Sequence, residues 1–363
     1  MIKFLHSFYY FLKHLFIIKE VDVLFYYPQH FNRGVQDENL FFEPFYQSCK
    51  LNNKSYLIFE EIDRNSNKNR NNDVIPFDFI YYFIIVLRKL KLSEKSIGKV
   101  LKKSLLRSIR YKNLIVLSQS MIEIFRYVNK ESNIFDLQHG IIHSAMESYC
   151  QGNKANKRIR ENNIQLLLFG EGFKNILERI DSTNYYKDNA HVIGVKKESL
   201  KLNTDIVNKN VLVTLQFTED HTPSQNEKLY NDFIEFIYDN TEYTFYLRNH
   251  PRFNIEVDVE NLYQIKNTKQ APSQLSECFS ICSFHLTSYS TTTFECASVG
   301  IPTVFLTSLK EDFRMFNNDF HYPLNKNLDD IYDNYPEYSE KVIQWESEYY
   351  SSFDEEKFIS LLK

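Results

Sequence analysis

Residues 281–306, ICSFHLTSYSTTTFECASVGIPTVFL, constrain the fold more than any other stretch, because a strand, a turn, a helix and a second strand each have a reason to begin and end there. The apolar run 281–286 reads as a buried strand. Ser288, Ser290, Thr291, Thr292 and Thr293 then offer hydroxyls for a helix N-terminus, and Glu295 puts a carboxylate in the first turn, where the helix dipole favours it. Gly300 and Pro302 stop the helix, and 303–306 is β-branched and apolar enough for the next buried strand. The spacing predicts one βαβ step of an open α/β sheet, with its turn at the carboxyl edge where ligands bind. The hydroxyls there either cap the helix or hold an anion, for which a phosphate group is the natural guest.

At 363 residues the chain is too long for one average domain and suits two, each with its own core, which implies a cleft. The balance of 43 Lys+Arg against 47 Asp+Glu leaves a net charge of −4, so no global basic field points to nucleic acid, and any anion site must be local. Five scattered cysteines without paired ligand spacing suit a reducing cytoplasm. No run of ~20 uncharged apolar residues suggests a spanning helix. Residues 1–20, apolar but interrupted by Lys3, Lys13 and Lys19, read as a short amphipathic helix that either packs on the core or attaches to a membrane face.

Taken in order, 21–27 is the first strand, ended by Pro28, and 64–73 is a polar surface loop. Residues 113–117 make a strand, followed by a helix over 118–127. The strand 133–137 runs into Gln138, His139 and Gly140, polar groups beside a glycine that suit close approach to a ligand. His139 and His143 have the spacing of a metal pair if helical, but the glutamate of a zinc-protease helix is absent, so no metal is expected. Residues 164–169 form a strand leading through Gly170-Glu171-Gly172 into a helix. A charged, polar linker at 196–210 separates domains 1–195 and 196–363, with the last helices, 338–350 and 354–362, able to pack back on the first domain. In the second half, the strand 243–247 ends in Arg248-Asn249-His250-Pro251-Arg252, a local basic spot that needs an anionic partner, and a further strand is expected near Tyr263.

Four strand-end segments, LQHG, FGEG, RNHPRF and SYSTTTFECASVGIP, therefore fall two in each half. In order and wording they resemble the GT-B class of glycosyltransferases. The His-Pro element, the Ser/Thr-rich element and Glu-x4-Gly-x-Pro resemble bacterial sialyl-, polysialyl- and Kdo-transferases of capsule and lipopolysaccharide synthesis. The glycerophosphotransferases of teichoic acid synthesis have a similar pair, Gln-x-His-Gly and His-Pro, the first standing here as Leu137-Gln138-His139-Gly140 without the intervening residue. The resemblance implies two Rossmann-like domains facing a central cleft, with a C-terminal domain that binds a nucleotide-sugar and an N-terminal domain on the acceptor side. It implies that Arg248, His250, Ser290, Thr291 and Thr292 hold donor phosphate and that Glu295 binds ribose hydroxyls. His139 is the first choice for general base and Glu171 the second; the segment Gly170-Glu171-Gly172 departs from the paired acidic residues of sialyltransferases.

The activity so implied is inverting transfer without metal or other cofactor, from a CMP-linked acidic sugar ahead of a UDP-sugar or CDP-glycerol. The acceptor would be an oligosaccharide or lipid-linked glycan at the cytoplasmic face of the plasma membrane, with 1–20 as peripheral contact. A sugar-nucleotide epimerase and a non-catalytic glycan- or nucleotide-binding module are the alternatives.

Overall fold

The computed structural model describes residues 2–32, 34, 38–63, 70, 73–197, 207–218, 221–250, 257–306 and 315–362. Arg33, Pro251 and Arg252, most of the polar run 64–73 and most of the linker 196–210 lie outside them. The chain divides into two compact units: unit 1 is Met1–Lys197 with Ser351–Lys363, and unit 2 is Glu198–Tyr350.

Unit 1 is built on a sheet of β1 (Lys19–Pro28), β2 (Tyr56–Glu61), β3 (Ile75–Pro76), β4 (Ile109–Leu117), β5 (Asn133–Leu137), β8 (Ile164–Leu168) and β9 (Ala190–Val192). The small ladder β6 (Cys150–Gln151) and β7 (Lys154–Ala155) stands apart as an antiparallel pair. The large sheet runs β3-β2-β1-β4-β5-β8-β9, every pair parallel. Parallel strands covered on both faces need apolar side chains on both, which is why Leu24, Phe25, Tyr26 and Tyr27 are buried in succession. Strand order in this sheet reverses between β1 and β4, so the crevice expected to take ligands lies beyond their carboxyl ends.

Unit 2 repeats the order with five strands: β10 (Asn210–Thr214), β11 (Thr244–Arg248), β12 (Thr268–Gln270), β13 (Phe284–Thr287) and β14 (Thr303–Phe305), arranged β12-β11-β10-β13-β14 and all parallel. Its switch point falls between β10 and β13. The helix Thr292–Ser298 is pinned from behind by Phe294, whose ring stacks on Trp345 at 4.7 Å and meets Phe320 and Tyr349 edge-on. Gly300 ends the crossover at φ +74, as the sequence predicts, and a Cβ there would sit 2.3 Å from Ser339 Oγ.

Several boundaries differ from the sequence expectation. The segment near Tyr263 is a helical turn, Glu260–Tyr263, begun where Asp258 accepts a hydrogen bond from Glu260 N, and the strand comes later as β12. Ile281 ends a helix, Leu275–Ile281, in which Cys278 and Phe279 face a small core with Cys282 and Cys296; an apolar run of this length fits helix or strand until its neighbours choose. The helix after β4 starts at Ile122, because Ser118, Gln119 and Met121 all take positive φ. Arg70, from the run expected to be a surface loop, has its side chain buried between Glu60 and Asp78.

The helix Ile2–Lys13 packs Phe11 against Phe59 and Phe77, and leaves Leu5, Tyr9 and Leu12 exposed together with Phe16, Ile17 and Ile18. Among the described residues no helix is long and apolar enough to cross a membrane. The segment Ser351–Lys363 joins unit 1 through Val195, which donates to Ser351 O and accepts from Phe353 N, and through Phe45 against Phe353 and Phe358.

Candidate functional site

In unit 2 the chain leaves β10 through Thr218 and His221 into the helix Pro223–Asp239, and leaves β13 through Ser288, Tyr289 and Ser290 into the helix Thr292–Ser298. The longer helix begins cleanly: Thr222 and Gln225 form a reciprocal capping box with Pro223 at the first position. His221 links the two exits, with Nε2 2.8 Å from Tyr289 OH and Nδ1 3.3 Å from Asn226 Oδ1. Thr287 Oγ1 donates to Thr214 O and accepts from Ser290 N, so backbone and hydroxyls fix the turn.

The hydroxyls of this turn divide by role. Ser290 Oγ accepts from Thr292 N at 3.2 Å, which is capping, while Thr291 is exposed and Thr292 half-buried. Ser288 Oγ, Thr293 Oγ1 and, after the adjacent strand, Thr218 Oγ1 are buried with no hydrogen-bond partner among the described residues. A buried hydroxyl left unpaired costs about 1–3 kcal/mol. Three such groups collect in the segments that follow β10 and β13. Thr218, His221 and Tyr289 were not picked from sequence, and Ser288 and Thr293 were named in the hydroxyl cluster but not in the donor-phosphate set; the dipeptide Thr222-Pro223 beside His221 was the available signal.

The remaining unit 2 residues predicted from sequence reach the same edge. Arg248 closes β11, one strand beyond β10, and its Nη1 donates to Pro272 O at 2.9 Å and Ser273 O at 2.7 Å, so that part of the guanidinium holds the next loop. His250 is half-buried two residues further on. With β10 between β11 and β13, strand spacing separates the Arg248–His250 exit from the Ser290–Thr292 turn by ~10 Å. Glu295, accessible to solvent on the short helix, has its carboxyl pushed up to about 7 by desolvation, with Glu346 adding repulsion. Beneath the edge, His285 is fully buried between Thr214 Oγ1 and Thr303 Oγ1, each 2.9 Å from a ring nitrogen, and burial pushes its pKa down to about 3.

In unit 1, His139 and Glu171 follow the adjacent strands β5 and β8. Gln138 binds the two exits together: its Nε2 donates to Gly140 O and its Oε1 accepts from Phe169 N, both at 2.8 Å. His139 is half-buried, its ring edge-on to Phe31 at 5.3 Å. Residues 138–143 are not helical, so His139 and His143 do not share a helix face. Glu171 opens the helix Glu171–Ile180 and is exposed.

Sequence reasoning missed the buried carboxyls of this edge. Glu60 accepts from Tyr27 OH and Asn32 Nδ2 and forms an ion pair with Arg70; Glu61 accepts from Tyr26 OH and Ser120 Oγ. Burial raises the pKa of both. Asp136, 1% exposed, accepts from Gln119 N at 3.0 Å and is pushed up to about 7 by burial. It thereby holds the positive-φ turn Ser118–Gln119 at the β1–β4 switch point. An acidic residue inside an apolar strand, as in NIFDL, was the available signal.

No family model matches the sequence, and no curated protein matches it. Among solved structures the chain is similar to the wall teichoic acid polymerase TagF, with a TM-score of 0.52 and 11% identity over 99% of this chain and 96% of that one. A variant of that polymerase soaked with CDPG gives 0.51 and 12%, over 99% and 91%. The UDP-GlcNAc 2-epimerase of Neisseria meningitidis bound to UDP-GlcNAc gives 0.53 and 14%, over 94% and 99%. These proteins have the GT-B fold, and so does this chain: α/β, with two Rossmann-like units.

Proposed function

We propose that the protein is an inverting glycosyltransferase that moves a sugar from a nucleotide-activated donor to a hydroxyl of a growing surface glycan, without a metal. The observation that carries the reading is the set of buried, unpaired hydroxyls of Thr218, Ser288 and Thr293 at the unit 2 switch point, beside residues suited to a phosphate. His250, Ser290, Thr291, Thr292 and the guanidinium donors of Arg248 not given to the loop hold the donor phosphate, and Glu295 takes ribose hydroxyls. His139 accepts the proton as the acceptor oxygen bonds to the anomeric carbon, while the bond from that carbon to the phosphate oxygen breaks. The nucleotide leaves with the electron pair, and its charge is met by these donors. Glu171 is the second choice of base.

A CMP-linked acidic sugar is the donor favoured by the His-Pro and Ser/Thr resemblance; the CDPG soaked into the teichoic acid polymerase keeps a CDP-linked donor in the test. The acceptor is an oligosaccharide or lipid-linked glycan, and the protein works in the cytoplasm at the inner face of the plasma membrane. The exposed strip Leu5, Tyr9, Leu12, Phe16, Ile17 and Ile18 supports a peripheral contact there. A second reading, a sugar-nucleotide epimerase, is supported by the likeness to the epimerase bound to UDP-GlcNAc.

A thermal-shift series with CMP, CDP, UDP and GDP, followed by turnover of the matching sugar nucleotide with and without an oligosaccharide, separates the readings. Transfer requires the acceptor. Conversion of donor alone means an epimerase, and stabilisation without turnover means a binding module. Loss of activity in EDTA with recovery in Mg²⁺ would remove the metal-free mechanism.

A further inference from the structure

Between the first turns of the helix Pro223–Asp239 and the segment 257–261 of unit 2, a recess of about 390 Å³ opens to solvent. Pro223, Asn226, Glu227 and Tyr230, spaced three and four apart, line one wall from a single helix face, and Val257, Asp258 and Asn261 line the other. Asn226, 2% exposed, offers the recess no polar atom: its Nδ2 donates to Thr218 O and its Oδ1 lies 3.3 Å from His221 Nδ1. The other polar groups are accessible, Glu227, Asp258 and Asn261 being exposed and Tyr230 half-buried. The Glu227 carboxylate has no hydrogen bond or ion pair among the described residues, and Asp258 commits only Oδ1, to Glu260 N. Burial raises the pKa of the Tyr230 hydroxyl, against a hydrogen bond with Asn261 and with added repulsion from Asp258, so these three groups meet across the recess.

The lining specifies the chemistry of an occupant. Its two carboxylates face no basic side chain among the described lining residues, so an anion is repelled and a cation drawn in. The unengaged carboxylate oxygens only accept, which calls for a ligand rich in N–H or O–H donors. A primary ammonium supplies three donors and the complementary charge, and its hydrogen bonds to carboxylates are the charge-assisted kind. A bare metal ion fits worse, since no group of three or more His, Cys, Asp or Glu side chains among the described residues could hold one. Pro223, Val257 and the Tyr230 ring give the recess apolar surface for a carbon frame. Its volume exceeds twice the ~150 Å³ of an engineered cavity that holds benzene, so a frame of one or two rings has room. We infer that this recess binds an organic primary amine through the carboxylates of Glu227 and Asp258. The inference does not rest on the transferase reading.

Saturation-transfer NMR and calorimetry on the full chain test it with glucosamine and cadaverine as amines, and with glucose, N-acetylglucosamine and glucuronate as uncharged and anionic controls. At about pH 6.5 both amines carry their charge. The wild type should bind at least one amine, and at least ~10-fold more tightly than any control, the scale of a charge-assisted contact. Glucosamine would identify a sugar frame and cadaverine an alkyl frame, and either supports the inference. Glu227→Gln and Asp258→Asn, the latter keeping the Oδ1 that accepts from Glu260 N, should each weaken amine binding about threefold to fivefold, the scale of an exposed ion pair, with nucleotide binding unchanged. Glu356→Gln, at an exposed carboxylate of unit 1, should leave amine affinity as it is. Binding of neither amine, equal binding of glucose, or the same loss in Glu356→Gln as in the two recess variants would overturn the inference, the last by showing attraction to the protein's overall charge. Unchanged nucleotide binding in the variants keeps this outcome separate from that of the donor site.

Discussion

In unit 1 the strands one place out from the switch point, β2 and β5, carry carboxyls near their ends, Glu60, Glu61 and Asp136, each drawn into the protein and raised in pKa by burial. In unit 2 the strands at the switch point itself, β10 and β13, end among hydroxyls, Thr214, Thr218, Thr287 and Ser288, over a histidine that burial keeps neutral. A carboxyl raised in pKa by burial keeps its proton to a higher pH than a free one, whereas a hydroxyl offers only hydrogen bonds. One unit therefore gathers titratable groups near its sheet edge and the other gathers hydrogen-bonding hydroxyls, although their topology is shared. The contrast comes from the one or two residues after each strand, where the fold imposes no packing demand on side-chain type.

The strongest way to break the contrast is at His139. His139→Ala should lower kcat by about 100- to 10,000-fold and leave donor affinity within a few-fold, because the donor's contacts are assigned to unit 2. Stopped assays with binding measured separately would check this. Near-normal kcat in His139→Ala with an inactive Glu171→Gln would move proton transfer to the carboxylate, and unfolding of both variants would make these residues structural.

Next in size are the glycines that close each unit. A Cβ on Gly194, at φ +72, would lie 2.1 Å from the backbone oxygen of Ser352, which cannot move without displacing the whole crossing segment. On Gly300 it would meet the side chain of Ser339, which can turn away. Gly194→Ala should therefore cost on the order of 3 kcal/mol and Gly300→Ala nearer 1 kcal/mol, at the two ends of the range for strained backbone positions. Denaturant titration would read both, and an inverted ranking would show that the Ser351–Phe353 crossing is softer than its hydrogen bonds imply.

Acid and base should pull the units in opposite directions. His285 sits at about 3 in the folded protein against an ordinary 6.5, so the unfolded chain takes up a proton first and unit 2 loses stability as pH falls below 6.5. Asp136 sits at about 7 against 3.8, so the folded state keeps the proton longer and unit 1 loses stability as pH rises from about 4 to 7. Each slope is at most about 1.4 kcal/mol per pH unit. Hydrogen exchange followed separately in each unit between pH 4 and 8 should show it, with the first slope absent in His285→Gln and the second in Asp136→Asn. Slopes that persist in these variants would assign them to other groups.

The smallest effect sharpens the unit 2 side. Ser288→Ala should leave stability unchanged or raise it, since it removes a buried hydroxyl that has no partner among the described residues, while weakening nucleotide binding about fivefold to tenfold. Calorimetry with the nucleotide chosen by thermal shift would decide, and unchanged affinity would take Ser288 out of the donor site.

What the sequence determined by itself is the α/β class, the βαβ step around residues 281–306 and most strands, because buried parallel strands must be apolar runs and Gly300 must stand where φ is positive. It also placed His139, Glu171, Arg248 and His250 at strand ends, since polar residues directly after an apolar run mark a carboxyl edge. The tertiary structure alone decided which unit receives Ser351–Lys363, that Arg70 is buried between Glu60 and Asp78, and that Arg248 spends donors on Pro272 and Ser273. It alone brought Thr218 and Ser288 to one switch point, some seventy positions apart in sequence, and left their hydroxyls unpaired. A periodic pattern reports only which face of an element is buried. Which polar atoms meet, and which are left without a partner, depends on strand order and on contacts between residues distant in the chain, and no local pattern encodes those.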